Sequence, residues 1–143
     1  MLILSLSMPV SKEEHTALRK CTYGIQVSLV KKRWSQTVIL KLEPDRLGFT
    51  MTKSSCFSNT LLKHFNIREV CHFRPGKYGL LCKKSSLQDR CCFSIQTITG
   101  KTFYFKGGVQ EIRDWVLTGN YLLSMEQSRK WLRFDHKKPN LSP

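Results

Sequence analysis

The passage from residue 93 to residue 123 limits the fold more than any other, because two alternating segments are followed there by a change of period. Phe93-Ser94-Ile95-Gln96-Thr97-Ile98 and Lys101-Thr102-Phe103-Tyr104-Phe105 flank Thr99-Gly100. Two period-two segments joined by two residues that include a glycine predict a β-hairpin. After Gly107-Gly108, the residues Val109, Ile112, Trp115, Val116, Leu122 and Leu123 fall near one face of a helix, while Gln110, Glu111, Arg113 and Asp114 fall mostly on the other. The order is a hairpin first and a capping helix last.

Period-two patterning also runs through the upstream chain. Residues 23–30 place Tyr23, Ile25, Val27 and Leu29 on one face, and residues 34–42 alternate Val38, Leu40 and Leu42 against Ile39 and Lys41. Glu43-Pro44-Asp45-Arg46 is a turn, since proline presets φ and aspartate bonds to nearby backbone, and Leu47, Phe49 and Met51 continue as a third strand. Residues 52–66 are mixed, with Leu61-Leu62 fitting either a strand or a short helical turn. Residues 67–73 alternate and end at Arg74-Pro75-Gly76; a further strand is expected at 78–83, and a loop precedes 91–98. About seven strands before one helix predict a mainly β fold with a C-terminal α-helix, either a small barrel or an orthogonal sandwich. Residues 1–17 are expected to be a loosely ordered leader in which Ser11-Lys12-Glu13-Glu14 can start a short helix. The domain then spans 18–126. In the basic and aromatic tail, 127–143, Arg129-Lys130-Trp131-Leu132-Arg133-Phe134 either prolongs the helix or detaches from it.

At 143 residues the chain is one domain's worth and long enough to bury a core without disulfides or metal. Lys and Arg number 24 against 10 Asp and Glu, a net charge of +14, which attracts phosphate-rich partners. Nucleic acid and the anionic cytoplasmic leaflet both qualify, and charge alone does not choose between them. Cys21, Cys56, Cys71, Cys82, Cys91 and Cys92 contain no Cys-x-x-Cys pair, and adjacent Cys91 and Cys92 on a strand point to opposite faces. Free, reduced thiols are therefore expected and zinc is not. The apolar start Met1-Leu2-Ile3-Leu4 lacks a basic flank and runs into Pro9 and Lys12-Glu13-Glu14, unlike a secretory signal. No stretch approaches the roughly 18 apolar residues of a spanning helix, so membrane association is expected to be peripheral. Neither His15, His64, His72 nor His136 stands in a nucleophile, metal or nucleotide motif, so no enzymatic activity and no cofactor are expected.

The hairpin Phe93-Ser94-Ile95 with Lys101-Thr102-Phe103-Tyr104-Phe105, followed by Glu111-Ile112-Arg113-Asp114-Trp115-Val116, resembles the end of a pleckstrin homology domain. Lys31-Lys32-Arg33-Trp34 before Val38-Ile39-Leu40 is similar to that family's second strand, and the likeness covers roughly residues 20 to 125. Among subfamilies, the spacing from Ser94-Ile95 to Asp114-Trp115-Val116 looks most like the pleckstrin homology family S type. The resemblance implies a bent seven-stranded sheet closed at one corner by the Trp115 helix, and a non-catalytic adaptor that binds anionic phospholipid, in particular phosphoinositide, at the cytoplasmic membrane face. Lys20, Lys31, Lys32 and Arg33 are the expected headgroup contacts, with Lys53 beside them. Guanidinium forks and ammonium charges suit phosphate oxygens. The alternative is a protein-interaction module of the same fold with little lipid affinity. A nucleic-acid-binding protein ranks third, since neither a ribonucleoprotein strand motif nor a helix-turn-helix is present. A monomer is expected.

Overall fold

The computed structural model describes residues 10–54, 59–76 and 89–137, and its first element is a helix, α1 (Lys12–Tyr23). Ser11 Oγ accepts from the Glu14 N–H at 3.1 Å, and the Glu14 carboxylate accepts from the Ser11 N–H at 3.3 Å, a complete capping box. Gly24, at φ +103°, ends the helix in a conformation that side chains rarely adopt. Ala17, Leu18 and Cys21 are buried, so the helix is docked rather than loose, and the boundary expected at 17/18 falls inside it. Tyr23 closes the helix instead of opening a strand and is 81% exposed. The helical stripe was hard to see because only three of its twelve residues are buried.

Seven antiparallel strands follow in one sheet, ordered β4-β3-β2-β1-β7-β6-β5. They are β1 (Ile25–Val30), β2 (Ser35–Leu42), β3 (Gly48–Ser54), β4 (Asn59–Asn66), β5 (Val70–Pro75), β6 (Cys92–Thr97) and β7 (Thr102–Lys106). All seven lie among the described residues. The mixed stretch supplies β4, an edge strand whose alternation is broken by a bulge opposite Met51/Thr52. Ile67–Glu69 forms a 3₁₀ turn capped by the Asn66 side chain, which delays β5 to Val70. The strand expected at 78–83 lies outside the described residues.

The barrel expectation needs correction, because the sheet is open: β4 and β5 are its two edges, and among the described residues no ladder joins them. Its halves instead meet through side chains. Phe65 on β4 stands edge-on to Phe103 on β7 at 5.1 Å, and Phe49 on β3 lies 5.7 Å from Phe73 on β5. The last helix, α2 (Val109–Lys137), closes the core with Trp115, which is fully buried 5.3 Å from Phe49. The helix continues past the boundary expected at 126/127. Buried Glu126 holds that later part, pairing with Arg68 of the 3₁₀ turn and with Arg129, each at 3.4 Å.

Gly119 shows how tightly α2 is set. A Cβ there would lie 2.3 Å from ring atoms of Phe73. In an unpacked helix, Gly→Ala gains about 1 kcal/mol. Here overpacking should reverse the sign, so Gly119→Ala is expected to lose about 1–3 kcal/mol in urea unfolding. A more stable variant would mean that the helix shifts freely over β5.

Cys21, Cys71 and Cys91 are free thiols, whereas Cys56 and Cys82 lie outside the described residues. Burial pushes the Cys21 thiol from 9.0 up to about 12. The folded chain thus holds this proton more tightly than the unfolded chain does. The Cys21 contribution to stability is fully present below pH 9 and is lost as pH rises toward 12. Unfolding followed across that interval should show a shallower decline in Cys21→Ala than in the parent; identical slopes would refute the shift.

Candidate functional site

The β1–β2 hairpin is tight. Val30 pairs with Ser35, and the Lys31 N–H donates to the Trp34 carbonyl at 2.7 Å, leaving Lys32 and Arg33 as a two-residue tip. All three bases are exposed, and Trp34 beside them is 59% exposed. Lys53 reaches the same end of the sheet by a different route. On β3, Phe49 and Met51 point into the core, and Lys53 is the next residue on that face, opposite buried Val38. The inward row therefore leaves the core as a lysine, close to where β2 begins.

Two more lysines lie over aromatic rings of the core. On β4, Lys63 lies opposite Met51 and shares the inward face with Phe65. Its ammonium sits 5.2 Å from the Phe65 ring and 5.7 Å from the Phe103 ring, while Lys101, just before β7, sits 5.0 Å from Phe103. One buried aromatic ring thus holds two cations drawn from opposite halves of the sheet. The ring quadrupole attracts each of them, but it does not cancel their mutual repulsion. An anion placed between them would relieve it.

Ion pairing sets these cations apart from Lys20, Arg68, Arg113 and Arg129. Among the described residues, no carboxylate pairs with Lys31, Lys32, Arg33, Lys53, Lys63 or Lys101. Arg113 pairs with Glu13 at 2.8 Å, and Arg68 and Arg129 share Glu126. Lys20 belongs with this neutralised group, because its ammonium lies 3.7 Å from the buried carboxylate of Asp114. It also precedes β1, whereas Lys31 follows it, and six residues of strand separate the two ends by about 20 Å. Lys53 thus stands toward the same end of the sheet as Lys31, Lys32 and Arg33, Lys20 lies beside Asp114 before the other end of β1, and Lys63 and Lys101 lie over the Phe103 ring. The sequence signal for Lys63 was its position two residues before Phe65, in the stretch left unassigned. Lys101 beside Gly100 reads as an ordinary turn residue.

Large apolar side chains are also exposed. Leu61 in β4 is 58% exposed and Ile98 in the β6–β7 turn is 64% exposed, as is Trp34 beside the β1–β2 tip at 59%. Among the described residues, no helix is long and apolar enough to cross a membrane, and no three His, Cys, Asp or Glu side chains converge on a point that would hold a metal.

Solved structures place this architecture. The PH domain of PfAPH is 12% identical, with a TM-score of 0.54, covering 82% of this chain and 94% of its own. The chain has the pleckstrin homology fold. Two further structures with comparable likeness to this fold come from Toxoplasma gondii. Inner membrane complex sub-compartment protein 1 is 13% identical with a TM-score of 0.62, covering 82% of this chain and 97% of its own. Sub-compartment protein 3 is 11% identical with a TM-score of 0.59, covering 84% and 90%. No protein-family model matches the sequence, and no curated protein matches it. The likeness establishes the pleckstrin homology fold and does not single out the family S type. In this fold α1 packs beside α2 and against β2.

Proposed function

We propose that this pleckstrin homology fold serves as a non-catalytic module that docks on anionic phospholipid, with phosphoinositide headgroups received between the β1–β2 tip and the Lys63/Lys101 pair. The observation that carries this reading is the Phe103 ring shared by two ammoniums, neither of which has a carboxylate partner among the described residues. Bases arranged around an inward-facing site favour a compact phosphate group over an extended polyanion. Trp34, Leu61 and Ile98 add apolar surface suited to the interface beside the headgroups. Two fold neighbours bear names that place them in an inner membrane complex, which accords with a membrane surface as the partner. Lys20 has no part in this reading, since Asp114 holds it elsewhere.

Co-sedimentation of the full chain with phosphatidylcholine vesicles tests it, with phosphatidylserine or phosphoinositide added at matched charge and a single-stranded DNA oligonucleotide run alongside. Phosphoinositide vesicles should retain the most protein. Equal retention by both anionic lipids would reduce the site to nonspecific attraction, and no retention would favour a protein partner for the same fold. Preference for the oligonucleotide would move the reading to nucleic acid.

A further inference from the structure

The basic tip runs into a hydroxyl. Lys31-Lys32-Arg33-Trp34 is followed at once by Ser35, which has three consecutive bases ending two residues before it. Kinases that select by charge read this pattern, because acidic pockets beside their active site recognise bases preceding the target. Ser35 is exposed and is the first residue of β2, paired with Val30. Among the described residues the β2–β3 ladder begins at Val38, and Ser35, Gln36 and Thr37 pair with β1. Freeing the tip as an extended segment breaks the Lys31 to Trp34 hydrogen bond and the last rungs of one ladder, the kind of local opening that costs least. Thr22, which follows Arg19-Lys20, offers a contrast: it sits within α1 and its hydroxyl donates to the Leu18 carbonyl at 2.7 Å.

We infer that Ser35 is a phosphorylation site for a base-selecting protein kinase, and that its phosphate switches off anionic-lipid docking. The switch rests on the lipid reading above, whereas the modification does not. The kinase would transfer the γ-phosphoryl group of ATP to Ser35 Oγ: a new P–O bond forms at Oγ, the bond to the β-phosphate oxygen breaks, the hydroxyl proton passes to the kinase's base, and ADP leaves. The phosphate adds about −1.5 to −2 charges at pH 7, next to a tip carrying three positive ones. It competes with lipid phosphate for Lys32 and Arg33, and its own charge repels the leaflet. Because each base near an anionic leaflet contributes about 1 kcal/mol, cancelling up to two of them should weaken vesicle binding roughly 10- to 30-fold.

The test treats the full chain and Ser35→Ala with ATP and the catalytic subunit of cyclic-AMP-dependent protein kinase, maps the phosphate by tandem mass spectrometry, and measures co-sedimentation with phosphoinositide vesicles before and after treatment. The expected result is phosphate on Ser35 of the parent and a 10- to 30-fold loss of vesicle binding on treatment, which the Ser35→Ala chain does not show. No phosphate at Ser35 overturns the site. Phosphate at Ser35 with unchanged binding, or an equal loss in treated Ser35→Ala, overturns the switch. If the untreated chain binds no vesicle, the lipid reading and the switch fall together while the mapped phosphate stands.

Discussion

Trp115→Ala should cost about 3–5 kcal/mol, the usual loss when a buried tryptophan is cut back to a methyl group. Trp115 is completely buried, and its ring packs on Phe49, which in turn stacks on Phe65 at 4.6 Å and touches Phe73. Truncation would therefore open a cavity where α2 meets both halves of the sheet. Relaxation can fill little of it, because the neighbouring rings are held by one another. A domain of this size has about 5–15 kcal/mol in total, and the thermal midpoint should fall on the order of 10 °C. Among the described residues, the indole N–H has no hydrogen-bond partner. Trp115→Phe thus removes volume while relieving an unpaired buried donor, and it should be much milder than alanine. Equal losses in the two variants would show that the indole N–H is satisfied, and an unchanged midpoint in Trp115→Ala would mean that α2 does not close the core.

The second large effect concerns binding. Replacing Lys31, Lys32 and Arg33 together by alanine should weaken retention on phosphoinositide vesicles by roughly 100-fold, taking about 1 kcal/mol for each base near the leaflet. Lys63→Ala combined with Lys101→Ala removes two charges rather than three, yet both are held at the one Phe103 ring. That pair should abolish preference for phosphoinositide over phosphatidylserine even where overall retention persists. Replacing Lys137 and Lys138 removes the same charge as the Lys63/Lys101 variant and should change little. Salt sharpens the distinction, since the Debye length falls from about 10 Å at 0.1 M to about 3 Å at 1 M and erases attraction between exposed charges first. Similar losses in the tip, ring-pair and tail variants would leave net charge as the only cause.

The Lys63/Lys101 pair also marks how far the sequence could be read. Lys31, Lys32 and Arg33 stand out because they are adjacent and follow an alternating strand, and the structure puts them at an exposed turn. Lys53 fits the same end of the sheet because the β3 alternation Phe49, Met51, Lys53 carries it there. Lys20 looked equivalent by type and by distance along the chain. The capping box at Ser11 and the buried stripe of α1 instead place it beside Asp114, whose carboxylate takes up its charge. A short helix with few apolar residues gives a weak periodic signal, so its docking was not legible in advance.

Local periodicity alone determined the β6–β7 hairpin, the helix around Trp115, the β1–β3 meander and the basic tip between its first two strands. In the hairpin, the helix and the meander one face is buried, and burial imprints a period of two or 3.6 on neighbouring residues, while the tip is marked by three adjacent bases. Tertiary structure alone decided the rest. The β4 strand is an edge whose exposed residues need no alternation, the sheet stays open between β4 and β5, and Phe103 receives one lysine from each half of the sheet. Those features join residues far apart in sequence, and no local period records a contact that exists only once the two halves of the sheet face each other.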